Sequence, residues 1–261
     1  MHPIDVLENV LAAQGKGGVR KPLHVVAARS LAGLIEFASV RRFWWAAHGE
    51  DLVQELNGQG ATWDHLGDLA QGLVTPFRDE RGEVHLVPPL LTGWSAGDPF
   101  QRFQERFKTA LVGAGASSAF AFMVLGAFNE MASNAAEHAV APVPPVASYE
   151  LTGGRWSFSV TDVGCGLLRS LQKNPKYAAL HDEASAIRLA AQDGVSSTGE
   201  QGRGFGFTHV FRALVDRMCA IRFRSVGAVA SWSGPAPAAH QLSITVAPPR
   251  NGFHLEVGGV L

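Results

Sequence analysis

From Thr109 to Asn129 the chain reads TALVGAGASSAFAFMVLGAFN and carries no charged residue, which leaves it few ways to fold. A run of that length meets the criterion for a membrane span. Its composition argues against one. Much of it is Ala, Gly and Ser, Gly113 and Gly115 punctuate it, and Ser117 or Ser118 offers an oxygen to cap a new helix. The stretch therefore predicts two buried helices, from about Pro99 to Val112 and from about Ser117 to His138, and no span.

The second of these helices ends in FNEMASNAAEHA, Phe128 to Ala139. Glu130 and Asn134 are four apart and so share a helix face. A carboxylate and an amide held there could bind a divalent cation and orient a water. The same spacing is common on solvated faces, so the pair means little alone. Two glycine-rich stretches follow it. The first is Val160-Thr161-Asp162-Val163-Gly164-Cys165-Gly166, at the end of a clear strand. The second is Gly202-Arg203-Gly204-Phe205-Gly206-Phe207, at the start of a helix reaching Arg217. Backbone amides bared by glycines at a helix N-terminus make an anion site.

Together the three stretches resemble the nucleotide site of the GHKL superfamily, which includes DNA gyrase, heat-shock chaperones, histidine kinases and mismatch-repair ATPases. Its pattern is Glu-x-x-x-Asn on a helix, then Asp-x-Gly-x-Gly, then Gly-x-Gly-x-Gly, and the resemblance covers roughly residues 98–261. It implies an α+β fold: a two-layer α/β sandwich of Bergerat type, with helices on one face of a mixed sheet. Residues 98–261 would be that ATP-binding domain, and residues 1–97 an additional N-terminal α/β region of unassigned role.

The resemblance also implies roles. Asn134 would ligate Mg²⁺ bridging the phosphates of ATP, and Glu130 would act as general base. Asp162 would accept the adenine amine, with Gly164 letting the backbone turn against the base and Gly166 releasing the chain towards a lid. That lid, Leu167 to Gln201, would include a helix from Asp182 to Gln192 and a polar loop whose Ser197 and Thr198 touch phosphate. Gly202, Gly204 and Gly206 would close over the phosphates with Phe205 among them, and Arg203 would either meet the terminal phosphate or face solvent. His138 matches a position that is often His or Tyr. Two departures stand out: Glu137, where histidine kinases carry a basic residue, and Gly252-Phe253, where family members place Gly-Thr. The run Asn134-Ala135-Ala136-Glu137-His138 is closer to anti-sigma serine kinases and small standalone ATPases than to gyrase.

Composition fits a globular chain, with 46% hydrophobic and 17% charged residues in 261. A net charge of −1 gives no electrostatic case for nucleic acid. Cys165 and Cys219 have neither metal-ligand nor framework spacing, and no leader pattern opens the chain, so the expectation is a cytoplasmic setting. In the N-terminal part, residues 1–22 carry a short helical start and a flexible link at Gly15-Lys16-Gly17-Gly18, and Leu23 to Ala28 is either a strand or the first turn of a helix ending near Trp45. Helices are expected over 51–56 and 63–73, with a short strand at Val84 to Val87. The Arg41-Arg42-Phe43-Trp44-Trp45 cluster is either a helix end packing aromatics inward or a binding surface. His24, His48, His65 and His85 lack the setting of a phosphoacceptor histidine, which argues against self-phosphorylation. After residue 145, strands are expected at Ala147 to Leu151 and Trp156 to Thr161 around a hairpin turn at Thr152-Gly153-Gly154-Arg155, the second burying one face through alternating Trp156, Phe158 and Val160. Further strands are expected at Cys219 to Arg224, Ala228 to Trp232, Leu242 to Val246 and Phe253 to Val257.

The expected activity is therefore ATP hydrolysis or an ATP-driven switch. Alternatives are a kinase of the anti-sigma type acting on Ser or Thr of a partner, or a non-catalytic ATP-dependent interaction module. A protein partner or regulatory target is expected, with a homodimer as one arrangement.

Overall fold

The structure is a computed structural model that describes residues 35–36, 77–78, 80–89, 98–138, 144–192, 195, 210, 214, 218–235, 241–247, 249 and 251–261. It is an α+β protein built on one eight-stranded sheet. The strands are β1 (Phe77–Arg78), β2 (Gly82–Leu86), β3 (Val146–Thr152), β4 (Arg155–Asp162), β5 (Cys219–Ser225), β6 (Ala228–Gly234), β7 (Ser243–Val246) and β8 (Phe253–Val260). Their order across the sheet is β1-β2-β3-β4-β8-β5-β6-β7.

The uncharged stretch resolves into two helices. Helix α1 (Pro99–Gly113) starts at Asp98, whose carboxylate accepts from the Phe100 amide at 2.7 Å. Its Pro99 sits in the first turn, where no intrahelical donor is needed. Helix α2 (Ser118–His138) follows after Gly115, which takes a φ of 105°. Ser117 caps α2, accepting from the Phe120 amide at 3.2 Å. Among the described residues no helix is long and apolar enough to cross a membrane.

These helices pack through aromatic rings onto one face of the sheet. Phe100, Phe103 and Phe107 recur at helical spacing on α1, all fully buried. Phe107 stacks on Tyr149 of β3 at 4.8 Å, and Phe128 of α2 meets Phe158 of β4 edge-on at 5.5 Å. Trp156, Phe158 and Val160 alternate along β4 as its pattern predicts, and all three are in the core. The β3–β4 turn puts both Gly153 and Gly154 at positive φ, as a two-residue hairpin requires.

The expected mixed sheet is corrected: every described pairing is antiparallel. The segment between β4 and β5 does bring the chain back in its original direction. However, β8 lies between those two strands and runs against both, so no parallel neighbours form. Residues 77–86, assigned from sequence to the N-terminal region, supply β1 and β2, and β2 pairs with β3. The described part of that region thus shares the sheet of residues 98–261.

The helices are also not confined to one face. Helical residues Ile35 and Glu36 lie on the opposite face, where Glu36 pairs with Arg222 and stands 3.7 Å from His254. That face is polar yet buried. Arg222, Arg224, His254, Ser148 and Ser159 alternate with core residues along their strands, and charge placed there needs partners. Burial first, then the neighbouring Glu36, raises the Glu256 carboxyl on this face to about 7, with Arg222 opposing.

The remaining predicted helices of residues 1–73, and the cluster at 41–45, lie outside the described residues. Three elements were not legible in the sequence: β1, the short helix α3 (Gly166–Leu171) and a 3-10 turn at Pro175–Tyr177. Helix α4 (Glu183–Ala190) matches the predicted lid helix, capped by Asp182 through the Ser185 amide at 2.8 Å.

Phe128 is fully buried and contacts Phe100, Phe103, Phe107 and Phe158. Phe128→Ala should cost about 3–5 kcal/mol of stability, read as a lower urea midpoint. A loss below about 1 kcal/mol would mean the helix pair does not depend on this ring cluster.

Candidate functional site

One end of the sheet gathers the residues with chemistry. Asp162 closes β4 on the core face, directly opposite Phe253, which opens β8. Phe253 in turn lies opposite Ser225, the last residue of β5. Asp162 is nearly buried, and its carboxylate accepts the Gly164 amide at 2.7 Å and the Phe253 amide. Burial pushes the Asp162 carboxyl up to about 6, and the two backbone hydrogen bonds offset part of that rise. At Phe253, then, the donor that faces the aspartate is a main-chain amide.

Two glycines make this packing feasible. A Cβ on Gly252 would lie 2.1 Å from the Asp162 carbonyl oxygen, and its φ is 100°. A Cβ on Gly166, at φ 79°, would lie 2.4 Å from Val226 Cγ2. Val226 itself has φ 37°, in the left-handed region that a β-branched residue rarely enters. Its amide donates to the Gly252 carbonyl at 3.2 Å.

Helix α2 runs to the same end of the sheet. Phe120 lies against Trp156 at 5.6 Å and Phe128 against Phe158 at 5.5 Å, so helix and strand advance in one direction. Glu130, Asn134 and His138 follow Phe128 just as Val160 and Asp162 follow Phe158. The three are spaced four apart on one flank of α2 and are half-buried, at the margin of its core stripe. Gly164 and Gly166 lie in the turn after Asp162.

Ser197, Thr198, Gly202, Arg203, Gly204, Phe205 and Gly206 lie outside the described residues. Of the helix predicted after them, Val210 and Leu214 are described, and both are buried in the main core. Among the described residues no group of three or more His, Cys, Asp or Glu is gathered to hold a metal.

Sequence reasoning missed Glu183 and Ser225. Ser225 Oγ donates to Glu183 Oε2 at 2.7 Å and accepts the Leu167 amide at 2.7 Å. The Leu168 amide also reaches Glu183 Oε2, at 3.3 Å. Burial raises the Glu183 carboxyl, opposed first by the Ser225 hydrogen bond. In sequence Glu183 is one more acid at a helix start, and nothing local ties it to a serine on a distant strand.

No protein-family model matches the chain, and no curated protein matches it in sequence.

The raised Asp162 carboxyl has a stability consequence. The folded state binds this proton more tightly than the unfolded chain, so its contribution is full at low pH and lost as pH rises through about 6. Asp162→Asn removes that dependence. The stability of the variant relative to wild type should therefore rise by about 1.5 kcal/mol between about pH 5 and about pH 7.5, in paired urea titrations. A difference that stays constant across this range would show that Asp162 ionises normally.

Proposed function

We propose that this end of the sheet is an ATP site of the GHKL type, in a two-layer Bergerat-type domain, and that the protein hydrolyses ATP or uses it as a switch. The observation that carries the reading is the Asp162 carboxylate. It is held on the core face by two backbone amides, at the sheet end towards which α2 carries Glu130, Asn134 and His138. A buried acceptor with its orientation fixed can select an adenine amine over a guanine carbonyl, because the wrong base leaves a polar group unsatisfied. The all-antiparallel sheet departs from the mixed sheet the family implies. Support therefore rests on the site and on the order of helix pair, hairpin and returning strand.

Asn134 would hold Mg²⁺ by its side-chain oxygen, with water and phosphate oxygens as the remaining ligands, and Glu130, one helical turn before it, would be kept for proton transfer. When bound, the metal neutralises charge on the transferring phosphoryl group. Glu130 then orients the attacking water or hydroxyl and takes its proton. The turn from Asp162 to Gly166 holds the base side of the site, and the predicted loop at Ser197 and Thr198 with the glycines from Gly202 to Gly206 belongs over the phosphates.

Binding of labelled ATP and its turnover with Mg²⁺ test the reading. Glu130→Ala should lower turnover at least about a hundredfold while ATP affinity changes less than about threefold. Asp162→Asn should weaken ATP by about tenfold or more and erase the preference over GTP. Tight binding without turnover would direct the search to a protein phosphoacceptor or a switching partner. Absence of ATP binding by the wild-type chain would sink the family assignment.

A further inference from the structure

The hydrogen bonds around Ser225 and Glu183 do not belong to the ATP-contacting set, yet they meet the same turn from its far side. Asp162 to Gly166 is fixed at its start by the carboxylate's bonds to the Gly164 and Phe253 amides. Its end is fixed by the Leu167 amide on Ser225 Oγ and the Leu168 amide on Glu183 Oε2. Between the two ends, Gly166 sits so close to the opposite corner that an added Cβ would meet Val226 Cγ2, Ser225 Oγ and Glu183 Oε1 within 3.3 Å. The corner is strained at Val226 and closes the circuit, since the Val226 amide bonds the carbonyl of Gly252, which packs on Asp162.

We propose that Ser225 and Glu183 are positioning residues for the Asp162–Gly166 turn: by fixing the first turn of α3 against the β5–β6 corner, they set the aim of the Asp162 carboxylate.

Sequence neighbours alone would not require this arrangement. Glu183 opens α4 and reaches back fifteen residues to Leu168, and Ser225 reaches from another strand altogether. Part of the segment from Gly166 to Ala190 has its own small core of Leu171, Tyr177 and Ala186. A unit packed partly on itself needs specific bonds to register against the sheet. Ser225 supplies two of them, to the Leu167 amide and to Glu183, while the Leu168 amide ties Glu183 to the first turn of α3 within the unit. Strain at a non-glycine left-handed residue persists where the surroundings over-determine it, and such strain concentrates at working sites.

The decisive readout is amide exchange at Gly164, which neither Ser225 nor Glu183 touches in the hydrogen bonds described above. In Ser225→Ala and Glu183→Ala, the Leu167 and Leu168 amides should exchange faster, and Gly164 should accelerate by at least about tenfold with Tyr149 in β3 unchanged. Glu183→Gln keeps an acceptor oxygen and should stay within about threefold of wild type at Gly164. If the alanine variants fail to fold, Ser225→Cys, which keeps the side chain's size but accepts only weakly, is the reporter, with Gly164 expected to accelerate ahead of Tyr149. Acceleration confined to Leu167 and Leu168, or equal at every amide, would overturn the proposal. With nucleotide, Ser225→Ala should weaken ATP affinity by about tenfold while kcat falls less than about threefold. That link to affinity rests on the ATP-site reading, whereas the exchange is measured on the unliganded chain. If wild type binds no ATP, that reading fails and Gly164 still decides the positioning role.

Discussion

The insertion of β8 between β4 and β5 is the constraint from which the rest of the site follows. Strands β4 and β5 run the same way, and a parallel pair would have left their ends differently aligned. An antiparallel strand between them brings its start beside the ends of both. One residue pair, Gly252 and Phe253, therefore makes three contacts, two with Asp162 and one with Val226. Phe253 gives its amide to Asp162, Gly252 packs on the Asp162 backbone, and the Gly252 carbonyl takes the Val226 amide. Helix α2 then needs only to follow β4, which its aromatic contacts oblige it to do.

The fold was legible where period and punctuation agreed. Alternation of Trp156, Phe158 and Val160 located β4, Thr152-Gly153-Gly154-Arg155 located its turn, and Gly113 with Ser117 divided the uncharged run into two helices. These signals are local, and local propensity points the same way as the tertiary fold there. Sheet order was not legible, because which strand lies beside β4 is decided by β8, nearly a hundred residues further on. The two-residue β1 and the six-residue α3 fall below the length at which a periodic pattern can be read.

The site divides similarly. Glu130, Asn134, Asp162, Gly164 and Gly166 could be named through a resemblance whose signals, spacing and glycine content, are written along the chain. Glu183 and Ser225 could not, since their relation exists only after strand pairing brings β5 over the start of α3. The departure at Phe253 illustrates the same limit from the other side. A main-chain amide at Phe253 supplies a donor there, and main-chain donors leave no trace in residue identity.

The two faces of the sheet are both shielded from water, by opposite chemistry. The face under α1 and α2 is oily, and because attraction of that kind is non-directional, the fit of ring against ring is what sets the helix angle there. The reverse face offers Arg222 and His254, and Glu36 pairs with the first and stands 3.7 Å from the second at one setting only. Burial on this side is thus an address and not merely an adhesive: the first described helical residues of the chain are told where to sit by charge. Because Thr161 and His254, hydrogen-bonded to each other at 2.7 Å, are the chain neighbours of Asp162 and Phe253, that address is written one residue away from the candidate site.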